Sequence, residues 1–473
     1  MQTSFYRKVI HGMKDLSKKE YVEELFDRLY PMCRSILGQG YRESLEILKE
    51  YIPFQEDVYL SGSKVLNWVV PQEWVIREAW IKDSEGNTVI DFKNNNLHVL
   101  NYSDNIDGIF SLEELKKHIY THNLDEDAIP YTFSYYKKRW GFCMSQKQLN
   151  QLADGQYHAY IDSEFVEGRL VVGEAILEGK EEKQILLTSY LCHPSMANNE
   201  LSGPLVLAML YQRIAAWKNR RYTYRFVINP ETIGSISYLS RHGDEVKEKL
   251  YTGLVLTCLG GTEKLRYKTS RSEDAPMDKL ITKMNEESAG KFRVEIFDPT
   301  SGSDERQYCS PGFDLPMGQM ARKAYADYKE YHTSLDTKEL MGIENIMESC
   351  DEIEKLLLKL EQEEEIDGGS NDINVHERGI GSIYYKNLYP YGEVKLGDYD
   401  LYPTINTGGT RKIETQDLRN EPWFIRSVMM ILSYSDGRTS LEYCAKRLEL
   451  PIEKVQKVAE TLVEKVLLEK KNI

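Results

Sequence analysis

The chain has 473 residues, with 75 acidic against 60 basic side chains and a formal charge of −15. At about 150 residues per domain, that length predicts roughly three domains. Hydrophobic residues at 41% and charged residues at 29% exclude a disordered or fibrous chain, and the acidic balance disfavours nucleic acid as principal partner, because phosphate binding draws on clustered cations.

Residues 1 to about 50 read as helices. Tyr21, Leu25, Leu29 and then Leu45, Ile47 and Leu48 recur at helical spacing. The N-terminal MQTSFYRKVIHGMKDL is amphipathic and lacks a secretory core, and no apolar run reaches the roughly 18 to 20 residues that span a bilayer. A cytoplasmic enzyme without membrane contact is the expectation. From Tyr59 to Tyr102 short β-like runs follow (LNWVV, VIREAWI, TVIDF, LHVLNY), with Ser84-Glu85-Gly86-Asn87 as a hairpin connection. SLEELKKHIYTH predicts a short helix, Ser111 and Glu114 forming a capping box. Residues 57–150 are therefore expected to be a β-rich insert.

Beyond about 156, strands alternate with helices. ILLTSYL, YRFVIN, GLVLTCL and FRVEIF are short, apolar and β-rich, and are separated by PLVLAMLYQRIAAW and DAPMDKLITKMNEES. This rhythm predicts an α/β core with a mostly parallel sheet and helices on both faces. The core is expected over 1–56 and 151–368, its last helix ending in EQEEEIDGG with glycines closing the domain. Residues 382–473 predict a winged-helix-like module, with helices at 422–434, 440–448 and 452–469, a capping box of Thr439 and Glu442, and Pro451 opening the last helix. Its near-balanced charge points to docking more than to DNA. The seven cysteines, with no CxxC pair, read as reduced small hydrophobes. An acidic multi-domain chain with an aromatic-rich insert is compatible with a homodimer.

In an open parallel sheet, ligands bind at the carboxyl ends of the strands. Polar residues at those ends are His193 after ILLTSYL, Glu231 in the PETIGS turn after YRFVIN, Asp304 in GSDER, and His332 in YHTSLDT. Two imidazoles with carboxylates suit Zn²⁺ with one open position. Arg271 in YKTSRSED, Glu305 and Tyr331 are candidates for substrate contact, with surface charge and a structural turn as the plainer alternatives for the first two.

In combination, CHPSMAN followed by SG, PETIGS, SDERQ and YHTS resemble the metal-site loops of the co-catalytic zinc aminopeptidase clan. More closely, the chain resembles a bacterial aminopeptidase-like family of that clan with a β-rich insert and a C-terminal winged helix. The resemblance implies His193 and His332 as metal ligands, Glu231 as general base or ligand, Asp304 as a catalytic residue close to the site that contacts substrate, orients a ligand or joins the zinc in place of Glu231, and Gly203 permitting close packing behind the metal loop. It places Asn199 where the clan has its bridging aspartate, as an amide-oxygen ligand. Thr232 stands in place of the second paired glutamate, and Gly260-Gly261 where another aspartate is expected. Two Zn²⁺ ions about 3.5 Å apart need compensating anions, so one zinc, or an empty site, is expected. The function implied is hydrolysis of an amide bond in a small peptide or aminoacyl substrate, cleaved by metal-activated water. The alternative is a catalytically silent ligand-binding or interaction protein with a degraded metal site.

Overall fold

A computed structural model describes residues 14–288, 290–363, 382–401 and 421–471. The expected glycine close at Gly368-Gly369 lies outside the described residues. Eight strands form the main sheet: β1 (Gln55–Leu60), β2 (Arg169–Leu177), β3 (Gln184–Tyr190), β4 (Thr223–Asn229), β5 (Leu250–Leu256), β6 (Arg266–Lys268), β7 (Arg293–Glu295) and β8 (Met317–Ala321). Their order is β1-β2-β4-β3-β5-β8-β6-β7. The central β4-β3-β5-β8 block is parallel, while β1, β2 and β6 join antiparallel. Every residue of β3 and β4 is buried, as expected of strands covered on both faces.

Side chains alternate between two cores. Ile185, Leu187, Phe226 and Leu254 pack with the helices Lys19–Leu29, Gln39–Lys49, Ser202–Ala216 and Ile343–Gln362. Leu186, Val227 and Val255 face helix Ile233–Lys249, the insert and the C-terminal domain. In helix Lys19–Leu29, Val22, Leu25, Phe26 and Leu29 make one buried stripe, each contributing about 1.5–3 kcal/mol of apolar transfer. Gly203 begins a helix so close to the sheet that a Cβ there would lie 2.3 Å from the Leu256 carbonyl oxygen.

The insert is longer at its C-terminal end than expected. Its antiparallel sheet, ordered Thr88–Asp91, Glu73–Asp83, Gln156–Val166 and Ile106–Ser111, takes its third strand from beyond residue 150. Residues 55–60 belong instead to the main sheet, through β1. The Ser84–Asn87 hairpin and the Ser111/Glu114 capping box are both present. LHVLNY is not a strand: Asn96–His98 form a 3₁₀ turn capped by the Asn95 side chain.

In the C-terminal domain, helices Pro422–Tyr434, Leu441–Leu448 and Ile452–Glu464 pack on a three-stranded sheet of Tyr384–Asn387, Asp436–Ser440 and Leu468–Lys471. The last helix therefore ends at Glu464 and gives way to a strand. The cap of the second helix is Ser440, accepting from the Tyr443 amide, while Thr439 bonds to Asp436. All seven cysteines are free, six of them buried. Among the described residues no helix is long and apolar enough to cross a membrane.

Candidate functional site

β3 delivers Cys192 and His193 to the carboxyl edge of the sheet, where the chain turns through Ser195 at φ 46°. A π-helical turn, Ala197–Leu201, then leads into helix Ser202–Ala216. This turn aims Glu200 back at the histidine, and His193 Nδ1–H donates to Glu200 Oε2 at 2.6 Å, both side chains being fully buried. The loop is held from two sides. Arg34 donates Nε–H to the His193 carbonyl (2.8 Å), and the Asp336 carboxylate accepts the amides of Asn198 and Asn199 (2.7 and 2.8 Å).

β4 ends at Asn229, and Glu231 follows in a turn whose next residue, Thr232, has φ 62° and ψ −73°. Such a backbone costs of order 1–3 kcal/mol and persists only where neighbours impose it. Asp304 is the neighbour: its carboxylate accepts from the Thr232 amide (2.7 Å), Ser235 Oγ (3.0 Å) and Asn229 Nδ2 (2.8 Å). Glu231 Oε2 thereby comes to 3.6 Å from His193 Nε2, and the Ser303 hydroxyl donates to Glu231 Oε1.

His332 arrives from a loop with no strand directly before it, at φ 55°. Its ring stacks on Tyr331 at 3.9 Å and lies 5.1 Å, centroid to centroid, from His193. Tyr131, from the insert, packs edge-on against both imidazoles, at 5.1 and 5.3 Å. The Nε2 of His332 is buried without a hydrogen-bond partner, as is Oε1 of Glu200.

The charges are distributed unevenly. Burial opposes charge on His193, but Cys192 and Glu200 more than offset it and raise its pKa well above the ordinary value. Burial and the nearby His193 push His332 well below its ordinary value, so its ring stays neutral. Burial raises Glu231. Burial, and then the Glu231 charge, lift Asp304 to about 7, and burial lifts Asp336 to about 6.

The structure thus brings His193, His332, Glu231 and Tyr331 together, keeps Asp304 behind the glutamate turn and Asn199 in the loop after His193, and sends Arg271 and Glu305 elsewhere. Asp304 engages both oxygens with protein donors, two on Oδ1 and one on Oδ2, and so supports the glutamate turn. Asn199 Oδ1 accepts from Tyr190 Oη (3.0 Å) and Cys258 Sγ (3.4 Å), and its Nδ2 is buried without a partner. Arg271 is neither substrate contact nor surface charge. It is buried at the boundary with the C-terminal domain, reaching Asp314 at 2.9 Å and Asp436 at 3.3 Å. Glu305 is buried against Lys268 Nζ at 2.8 Å.

Sequence reasoning missed Glu200, although it directly follows Asn199 in the recognised metal loop. It also missed Arg34, Asp336 and Tyr131. Asp336 lies in the YHTSLDT motif itself, whereas no spacing signal marks Arg34 or Tyr131, which act across long chain separations.

Two zinc ions do not fit. The anions a bridged pair requires are replaced by Asn199, Thr232 and Gly260, whose amide instead donates to Asn198 Oδ1. Two imidazoles and a carboxylate suit one ion by donor type: the His193 and His332 rings lie 5.1 Å apart, centroid to centroid, and Glu231 Oε2 lies 3.6 Å from His193 Nε2. Cys192, His193 and Glu200 also converge, with donor atoms within 4.8 Å of one another. Burial pushes the Cys192 thiol up to about 11, so, like His193, it would have to release a proton to a metal. The Sγ instead accepts the Glu231 amide at 3.3 Å.

A family described as Domain of unknown function (DUF4910) matches residues 23–363, and a winged helix-turn-helix family matches 383–470. A Clostridium acetobutylicum protein named for polysaccharide biosynthesis and an aminopeptidase-like domain is 35% identical over 441 residues, 93% of this chain and 94% of that one. A crystal structure from the same organism, named as a peptidase, aligns with TM-score 0.70 at 33% identity, covering 99% of this chain and 100% of that chain. A zinc aminopeptidase from Bacillus subtilis aligns with TM-score 0.52 at 9% identity, over 73% of this chain and 96% of that chain, a likeness of fold. The chain belongs to the DUF4910 family, built on the zinc-aminopeptidase fold with an inserted β-rich domain and a C-terminal winged helix.

Proposed function

We propose that this chain is an amide hydrolase acting on a small peptide or aminoacyl conjugate, with one zinc ion held by His193 and His332 and with Glu231 as the proton-transfer group. The observation that carries this reading is His332 Nε2, buried without a partner and on a ring 5.1 Å from that of His193. A buried ring nitrogen left unpaired costs about 1–3 kcal/mol, and a cation would satisfy it. Neutral His332 offers a lone pair directly, whereas His193 must first release its proton. Glu200, on Nδ1, fixes the His193 tautomer and leaves Nε2 facing the site, the usual carboxylate support of a ligating imidazole.

When bound, the ion supplies Lewis-acid polarisation of the scissile carbonyl. Glu231, raised by burial toward neutrality, takes the proton from the attacking water and returns it to the leaving amine. Ser303 holds Oε1 of that carboxylate in place, and Asp304 holds the turn that carries it. The name of the Clostridium acetobutylicum relative directs the substrate search toward aminoacyl or peptidyl groups on sugars. No DNA role is proposed for the winged helix, whose last helix mixes Glu453, Glu460 and Glu464 with Lys454 and Lys457.

The test is zinc titration of purified protein followed by an aminoacyl-amide hydrolysis screen, on the wild type and Glu231→Gln. The expected result is one zinc per chain in both, with turnover about 10²- to 10⁴-fold lower in the variant. Loss of zinc in Glu231→Gln would make that residue a ligand. The Asn199 amide in place of a bridging anion favours the second reading, a silent ligand binder, and zinc well below one equivalent after reconstitution would establish it over the hydrolase.

A further inference from the structure

The insert sends one strap into the site. Ile129 to Ser134 run alongside the His332 loop as a short antiparallel bridge, Pro130 opposite Thr333. The Tyr131 amide donates to the His332 carbonyl at 2.7 Å, the Ser334 amide to the Ile129 carbonyl at 2.9 Å, and the Ile129 amide to Ser334 Oγ at 3.0 Å. His332 between these bonds has a left-handed backbone that L residues with a side chain avoid. Histidine tolerates it better than most residues, the Thr333 amide and hydroxyl donate to the Glu330 carbonyl, and three hydrogen bonds from another domain add to these.

The far side of the strap is anchored as well. The Asn101 amide donates to the Thr132 carbonyl (2.9 Å), the Ser134 amide to the Asn101 carbonyl (2.8 Å), and Asn101 Nδ2 to the Arg34 carbonyl (3.0 Å). Arg34 is the residue that holds the His193 carbonyl. A continuous run of hydrogen bonds therefore ties one histidine's backbone to the other's through the insert. The Tyr131 ring, only 4% exposed, wedges against both imidazoles.

From this we infer that the inserted domain is a working part of the metal centre and that Tyr131 is a positioning residue, setting the distance and angle between His193 and His332. The inference rests on the proposed role of those two histidines as ligands. It assigns the insert a task that a mere appendage lacks: the core supplies His193 at a strand end and ties the His332 loop down at Asp336, while the strap bonds the His332 carbonyl and Ser334.

The experiment compares wild type, Tyr131→Phe, Tyr131→Ala and Ser334→Ala in full-length protein. Zinc affinity is measured by chelator competition, and hydrogen exchange of residues 328–336 is followed in metal-free protein. Tyr131→Phe keeps the ring and is expected to stay within about threefold of wild-type affinity. Tyr131→Ala is expected to bind zinc at least about tenfold more weakly and, like Ser334→Ala, to exchange faster at 328–336. Zinc affinity in Tyr131→Ala equal to wild type, with unchanged exchange, would overturn the inference. If Tyr131→Ala does not fold, Ser334→Ala carries the same two readouts. Failure of wild type to bind zinc counts against the ligand reading instead, and the exchange measurement still decides whether the strap holds the loop.

Discussion

The loops carrying His193 and His332 reach the same place by opposite means. His193 lies just beyond a fully buried central strand, so the sheet itself aims it, and Glu200, Arg34 and Asp336 fix the metal loop around it. His332 has no strand directly before it, has φ 55°, and is bonded at its carbonyl and at Ser334 by the insert. The first imidazole keeps its proton and the second has lost it. On the proposed reading, a site assembled this way would join a ligand that is rigid but must be deprotonated to one that is ready but must be held.

That contrast is broken most decisively by removing each ring. His193→Ala and His332→Ala should each lower zinc affinity by more than the about 10- to 100-fold typical of losing an outer partner. Only His193→Ala should also lower the denaturation midpoint strongly, because it leaves Glu200 buried without its cation. Equal stability losses in the two variants would contradict the asymmetry.

A sharper test is Glu200→Gln, which leaves both rings but withdraws the anion from Nδ1. Zinc affinity should fall about 10- to 100-fold, and isothermal titration would register it; an unchanged value would mean that Glu200 does not support His193. The protons give a graded version. With His193 raised well above its usual range, zinc must displace one proton, so wild-type affinity should drop about tenfold for each pH unit of acidification near neutrality. In Glu200→Gln this slope should begin at lower pH.

The smallest effect concerns the supports. Asp304 at about 7 and Asp336 at about 6 hold protons that their unfolded forms release near 4. The stability they contribute is complete below pH 4 and is lost as pH rises through 6 to 7. Urea denaturation should show that decline, and Asp336→Asn should remove the part between pH 4 and 6. A variant with the wild-type slope would show that Asp336 does not contribute.

How much of the molecule is legible in the sequence depends on how local each cause is. β3 and β4 are continuous runs of apolar and β-branched residues and announce themselves, as do the histidine and glutamate turns that end them. β8, MGQMA, is central in the sheet yet carries no β-branched residue, and its strand state comes from pairing with β5. Gln156–Val166 hid on the wrong side of an expected boundary because only its ten-residue ladder with Glu73–Asp83 reveals its domain. Arg271 looked like solvated charge because Asp436, which covers it, lies 165 residues away. Tyr131 was invisible for the same reason.

Arg271 has a practical consequence. Its guanidinium joins Asp314 of the core to Asp436 and the Ser433 carbonyl of the C-terminal domain, while Arg447 of that domain reaches back to the Phe297 carbonyl. A chain shortened after Glu363 would leave Arg271 with Asp314 alone and open the apolar surface that the C-terminal domain covers, so the two parts are best purified, stored and assayed as one body.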